Sequence, residues 1–461
     1  MVSHEKEASA PSAAELLGIA PVGSLLVRYS LPAVASGVIA SVYNVVAGAF
    51  IGHGVGANGL TGLAVNFPLF NLVMGLCIMV GVGGATFCSM ELGRGNERNA
   101  ADTPGQVIML GISLCVISSL LLYVVIDPVL RLFGASDATL PYARDYTVVV
   151  LAGLPASAVM VGLNHLMRAS GHPLMALATM AFSIGINIVL APLFIFVFHW
   201  GMKGAALATL LSEVAACAWL IAAFCRSRGV LRFRRGMFRW RPSLCLTILR
   251  YGLPPFLMNS CASLVVIVIN RQLLTWGGDS AVGAYGIFNP LVSFVFMVVL
   301  GLTQGMQPII GYNCGAGRTD RVRQATLLGL GAGLAVTTAG WAVMQGMPQV
   351  LAACFTNDAE VGALAVRALR TGGMLFLVVG APVVITSCFQ FMGMPLAASA
   401  LSLSRQLVLL IPFLLILPRR YGLDGVWYSF PLADGLAALT ALMALLYYRR
   451  KLGFNTTPGN A

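Results

Sequence analysis

Charge is scarce in this 461-residue chain. Lys, Arg, Asp and Glu make up 10% of it, where a soluble domain carries roughly 25%. That is too little to surface a domain that meets water on all sides, so a soluble globular class is excluded. Lysine is nearly missing, with three among the 28 basic residues. No G-x-x-x-x-G-K-[ST] string occurs, which removes a nucleotide loop and leaves any pumping to an ion gradient or a partner protein. The ten cysteines include no C-x-x-C pair, so neither a metal site nor a disulfide framework is suggested. His53, His165, His172 and His199 are scattered, and no paired acid–base or nucleophile set appears, so an enzyme is not expected and neither is a cofactor.

Apolar residues fill the space that charge leaves, at 58%. Twelve runs reach the roughly 20 residues that cross a bilayer as helix, near 23–50, 60–88, 105–126, 140–165, 173–199, 203–225, 244–274, 281–310, 323–346, 360–388, 396–417 and 424–448. Backbone polar groups in lipid need internal partners, so the expectation is an all-α polytopic membrane protein. Its predicted parts are an N-terminal tail (1–22), a first six-helix lobe (23–225), a linker (226–243), a second lobe (244–448) and a C-terminal tail (449–461). Residues 1–15 carry Glu5, Glu7 and Glu15 and do not read as a secretion signal.

The net charge of +12 is explained by sidedness. Nineteen Lys and Arg fall in the predicted tails and even-numbered loops, against four (Arg131, Lys203, Arg419, Arg420) in the odd ones. By the positive-inside rule both termini are expected in the cytoplasm, and the charge calls for no nucleic-acid partner. The linker "RSRGVLRFRRGMFRWRPS" reads as a solvated connection, or as an amphipathic stretch on anionic lipid.

One unit is written twice. "RYSLP" at 28–32 returns as "RYGLP" at 250–254, and the offset of 222 also aligns Pro68 with Pro290, Gly83 with Gly305, Gly93 with Gly315 and Gly171 with Gly393. Late in each half it slips by one, so that Gly201 meets Gly422 and Glu213 meets Asp434. Six spans per copy is an even number, so the copies are parallel repeats. Transporters built this way hold substrate between the halves.

An ionised group at mid-bilayer costs roughly 2.5–3.5 kcal/mol on insertion scales and so needs a reason. Glu213 and Asp434 lie midway along the sixth and twelfth spans. Arg405 is placed to pair with Asp434 as structural glue, whereas its counterpart in the first copy is Ser183. An unpaired carboxyl at that depth can exchange a proton near neutral pH, which makes Glu213 the first coupling-ion candidate and Asp434 the second. Asn44, Asn66, Asn71, Asn187, Asn259, Asn270, Asn289, Gln304, Gln307 and Gln390, with Tyr43 and Phe67, are candidates for a substrate cavity. Amides glue membrane helices together as readily as they line cavities.

The strings "YNVVAGAFIGHGVGANGLTGLAVNFPLFNL", "GVGGATFCSMELGRGN", "LMRASGHP", "NIVLAPLFIFVFHWGMKGAALAT" and "GLTQGMQPIIGYNCGAG" together resemble the multidrug and toxic-compound extrusion (MATE) family. The resemblance runs over most of 23–450. It implies two lobes around a central cleft that opens alternately to either face. It also implies export of bulky, often cationic organic compounds against entering protons or sodium, with no obligate protein partner and a bacterial inner-membrane location. Two family acids are absent here, since Ala47 follows Tyr43-Asn44 and Ala191 precedes Pro192. Other expectations of the same fold are a metabolite or lipid-linked flippase, for which Arg271, Arg367 and Arg370 are the basic candidates, and a non-transporting scaffold.

Overall fold

The computed structural model describes residues 14–227 and 229–448, so most of the predicted tails (1–13 and 449–461) lie outside the described residues. Among the described residues there is no strand. The first half holds α1 (Val22–Gly54), α2 (Ala57–Gly93), α3 (Glu97–Val124), α4 (Leu140–Ala169), α5 (Pro173–Val197) and α6 (Gly201–Arg226). The second half holds α7 (Pro242–Gly315), α8 (Thr319–Gly346), the short α9 (Ala359–Gly372) and α10 (Gly380–Phe391), then α11 (Pro395–Tyr421) and α12 (Leu423–Tyr447).

Two departures from one helix per span have simple causes. The helical register of α7 runs for 74 residues, far beyond one bilayer, and is interrupted only at Gly278, where φ is 66°. The chain folds back there. Gly252 faces Met79 and Gly315 faces Met90 on the same helix α2, and eleven residues of helix span about 16 Å. A straight helix would hold positions 252 and 315 about 95 Å apart. The predicted spans 244–274 and 281–310 are therefore the two arms of α7. The tenth span is bent: α9 meets the segment Phe376–Phe391 at 52°. Counting both arms and the bent pair gives twelve crossings, six in each half.

The repeat explains where glycine recurs. Positive φ occurs at Gly56 and Gly278, and again at three further repeat-related pairs, Gly95 with Gly317, Gly171 with Gly393 and Gly201 with Gly422. A side chain at such a backbone position is strained, so the same turns in both copies keep the residue without a Cβ.

The lobes meet through contacts that obey the same repeat. Gly83 of α2 abuts the backbone of Ile248 and Gly252, while its mate Gly305 abuts Ser30, the mate of 252. Gly93 abuts Tyr312, and Gly315 abuts Met90, the mate of 312. Each contact is thus returned by its equivalent, as in a two-fold interface. Small residues let these backbones touch, which is how membrane helices gain packing energy without a hydrophobic drive. All of these contacts lie in the half nearest the termini. The last approaches join Gly37 to Met297 and Gly75 to Phe256 and Asn259. Beyond them α1 packs within its own lobe, with Gly52 on Leu60 and Gly54 on Ile195, while Asn44, Val45 and Phe67 are exposed. The cleft is closed at the terminal end and open at the other.

Repeat-equivalent positions also bolt the closed end, with opposite chemistry. In the first lobe the buried Glu91 accepts from Arg94 (2.6 Å), Asn96 (2.8 Å) and Asn99 (2.8 Å), fixing the α2–α3 turn. In the second lobe Asn313, Arg318 and Arg321 occupy positions 91, 96 and 99 plus 222. They donate to the carbonyls of Leu17 and Gly18 in the helical turn Leu16–Ile19 and of Ala20, which caps it.

The linker is more than a solvated connection: Phe238 and Trp240 stay exposed, but its other apolar residues face the first lobe. Leu231 and Met237 are buried there, with Val230 and Phe233 packed beside them. Gln106 of α3 holds its backbone, donating to Met237 O (3.0 Å) and Arg239 O (2.8 Å) and accepting from Arg241 N (3.0 Å). Arg241 pairs with Asp102 at 2.8 Å.

Candidate functional site

Glu213 lies twelve residues into α6, about 18 Å along its axis and hence near mid-membrane. Its carboxylate accepts a hydrogen bond from the Ser157 hydroxyl of α4. Tyr43 of α1 reaches Thr209 and stands close to Glu213, as does Tyr146 of α4. One turn away, Asn187 of α5 donates to Thr209 (3.1 Å) and Ser212 (3.3 Å), and its own buried Oδ1 has no protein partner. Four helices thus bring a single carboxyl, several hydroxyls and one half-satisfied amide together. Among the described residues no Lys, Arg or His forms an ion pair with Glu213. Ala191 packs into an apolar cluster with Ile51 and Phe194, so no acid replaces the missing one there.

The repeat-equivalent acid has the opposite setting. Arg405 binds Asp434 Oδ1 through Nε and Nη2, both at 2.9 Å, and its guanidinium lies 6.0 Å from the Phe296 ring. Arg405 is the second residue of a π-helical turn, Ser404–Leu410, in α11. Such turns re-aim side chains and recur at functional sites. Arg405 and the adjacent Gln406 both face a cavity of about 230 Å³ at the closed end of the cleft. Its walls are the two arms of α7, α10 and α11, completed from the first lobe by Ile78, Val82 and His165.

Apart from Asn187, beside Glu213, the cavity candidates separate into three groups. Asn259, Gln304, Gln307 and Gln390 line this cavity. Gln307 also ties the lobes, donating to Val82 O and Thr86 Oγ1 at 3.1 Å, and Gln390 donates to Tyr251 O at 3.2 Å. Asn44, Asn71 and Phe67 flank the open half of the first lobe, while Asn270 and Asn289 are exposed on α7. Asn66 belongs to neither surface. It is buried, donates to Gly62 O (3.1 Å) and Ala143 O (3.0 Å), and accepts from Thr147, so it clamps α2 to α4.

Two cations are not where their sequence positions suggest. Arg168, one of the nineteen basic residues counted in the tails and even loops, is half-buried at the end of α4, where it donates to Asn164 (2.8 Å) and across the lobe boundary to Gln304. Arg367, a candidate for the cleft, pairs with Asp424. With Arg131–Asp137, Arg144–Asp127 and Lys203–Asp145, this pair neutralises much of the basic charge at the end away from the termini.

The MatE family model matches the chain twice, over residues 32–193 and 254–416, whose starts lie 222 residues apart. The chain belongs to the MatE family. It is similar to the multidrug export protein MepA of Staphylococcus aureus, 28% identical over 444 residues that span 95% of this chain and 96% of MepA. MepA of Staphylococcus haemolyticus is 27% identical, over 93% and 94% of the two chains. Among solved structures, the MATE multidrug transporter DinF-BH, solved as a complex with a small molecule, is 33% identical, with a TM-score of 0.89 over 97% of this chain and 100% of that one. An outward-facing MATE transporter at 24% identity shares the fold, with a TM-score of 0.89 over 96% and 99%. MatE proteins are multi-pass membrane transporters and not enzymes, so the duplicated lobes and the cleft of this MatE chain are those of a transporter.

Proposed function

We propose that this MatE chain is a secondary active exporter of bulky organic compounds, drug-like cations among them, working by alternating access. The driving ion in this reading is the proton ahead of sodium, and Glu213 carries it. The chain sits in a bacterial inner membrane with both termini in the cytoplasm, the side favoured by the basic excess. The observation that carries the reading is the setting of Glu213: a mid-membrane carboxyl with hydroxyl neighbours and no ion-pair partner. A proton neutralises such a group outright. Sodium would bring its charge to a site holding one carboxylate where related proteins often have more, since Ala47 and Ala191 stand at two acid positions. In its protonated form Glu213 can donate to Ser157. Ionised, it accepts from Ser157 and depends on polar neighbours or water entering the cleft. A cycle that wets and dries this pocket therefore loads and unloads the proton.

The test is uptake of a cationic dye, ethidium, into proteoliposomes under an imposed proton gradient, then a sodium gradient, for wild type and Glu213→Gln. Proton-driven uptake lost in the variant is the expected result. Proton-driven uptake that survives Glu213→Gln removes Glu213 from coupling, and uptake that follows only sodium removes the proton reading.

A further inference from the structure

We propose that the second-lobe cavity is a binding site for organic anions: compact aromatic sulfonates or carboxylates of about bicyclic size. The proposal names a substrate class that the exporter reading leaves open, and it rests on that reading only for transport of the bound compound.

Composition of the lining carries the argument. Its two ionisable side chains are His165 and Arg405, both basic, and no Asp or Glu lines the cavity. The acid beside it, Asp434, is taken by two nitrogens of Arg405, leaving the third, Nη1, for a ligand. Arg168 adds a second guanidinium behind the wall through its bond to Gln304. The cavity thus presents one guanidinium with a nitrogen to spare and an imidazole, and no carboxylate among its lining residues.

The cavity also holds polar groups that wait for a partner. His165 is 7% exposed, and its Nδ1 has no hydrogen bond; Oε1 of Gln406 is buried and equally unpartnered. Buried polar atoms are costly when left so, and they mark where a ligand supplies what the fold does not. The Gln406 amide offers either its oxygen or its NH₂ group by a half-turn, and imidazole offers a donor or an acceptor by tautomer, so both groups can turn a donor to an anionic head. Among these polar groups, Ile78, Val82, Met258 and Phe296 supply apolar surface suited to an aromatic body. Few polar groups converging in an apolar pocket is the usual form of a small-molecule site. The volume of about 230 Å³ sets the size class.

Equilibrium dialysis of the full chain in lipid nanodiscs reads the preference directly, with naphthalene-2-sulfonate against 2-naphthyltrimethylammonium as matched probes. The sulfonate is expected to bind at least ten-fold more tightly. His165→Phe and Gln406→Leu are each expected to weaken it three- to ten-fold, and Arg405→Gln to erase the preference. Because Arg405→Gln strands Asp434 and can unfold the lobe, the first two variants decide. Equal or tighter binding of the ammonium probe, no binding of either probe, or sulfonate binding indifferent to both variants overturns the proposal. Dialysis reads binding with no gradient applied, whereas the uptake assay reads coupling. Failure of proton coupling at Glu213 and failure of the anion site are thus separate results.

Discussion

A methyl group at Gly252 should drive the lobes apart at the closed end. A Cβ built there lies 1.8 Å from the Met79 carbonyl oxygen, where ordinary contact begins at 3.4 Å, so α2 and the first arm of α7 must separate by about 1.6 Å. The obstacle is backbone and not the end of a flexible side chain, so no rotamer change relieves it. Overpacking of this kind costs roughly 1–3 kcal/mol. Only the arrangement closed at the terminal end makes the contact, so the cost falls on that state and not on its alternative. A bias of that size moves a two-state equilibrium roughly 5- to 150-fold. Spin labels at Glu97 and Thr319, exposed and repeat-related positions flanking the seal, report the opening by double electron–electron resonance in a cysteine-free background. Gly252→Ala is expected to populate a longer distance at the expense of the short one, and Gly83→Ala, whose Cβ would lie 2.1 Å from Ile248 O, to do the same. Gly331→Ala, with open space around it, is the control. A folded Gly252→Ala protein with an unchanged distance distribution, or an equal shift in Gly331→Ala, refutes the reasoning.

Three further outcomes follow from named contacts. Gln106→Leu strands the Met237 and Arg239 carbonyls and the Arg241 amide, and should lower stability by roughly 1–3 kcal/mol, read as a thermal shift in detergent, without changing probe binding in the cavity. Asp434→Asn leaves Arg405 without its counter-charge; since Arg405 is still a quarter exposed, a loss near the low end for broken buried pairs, about 3 kcal/mol, is expected, and Arg405→Met with Asp434→Leu should recover most of it. Arg318→Ala with Arg321→Ala removes the donors to the Gly18 and Ala20 carbonyls and should detach the turn Leu16–Ile19 and raise proteolysis at the N-terminal end, an effect absent in Gly236→Ala.

Much of the architecture is legible in sequence because its causes are local. Apolar runs announce spans, and glycines held at positive φ, such as Gly56 and Gly278, repeat because the turns that need them repeat. The Arg405–Asp434 pair can be suspected from equal depth alone. The contacts that sequence does not announce share a different cause: each joins segments far apart in the chain. Gln106 looks like one polar residue at the head of a span, and nothing in "RSRGVLRFRRGMFRWRPS" shows that Leu231 and Met237 turn inward onto it. Arg168 reads as a loop cation because positive-inside counting assigns residues to sides and not to partners. Asn66 groups with the cavity amides since composition cannot distinguish a clamp from a lining, and only the carbonyls of Gly62 and Ala143 decide it.

Duplication gave both lobes the same scaffold, and the polar residues then diverged in a way that divides labour. Position 405 carries Arg where its mate is Ser183, which ties Asp434 down and turns the second lobe's cavity basic. With Ser183 in the first lobe, Glu213 keeps no cation partner and is left to exchange with hydroxyls. One difference thus leaves the two related acids in different settings, Asp434 held by a guanidinium and Glu213 by a hydroxyl. The lobes share the backbone contacts Gly83–Gly252 and Gly305–Ser30, a seam that also borders the second cavity at Val82. In the proposed exporter cycle, coupling requires that both sites bias the same closure, and this seam is the closure that the structure makes.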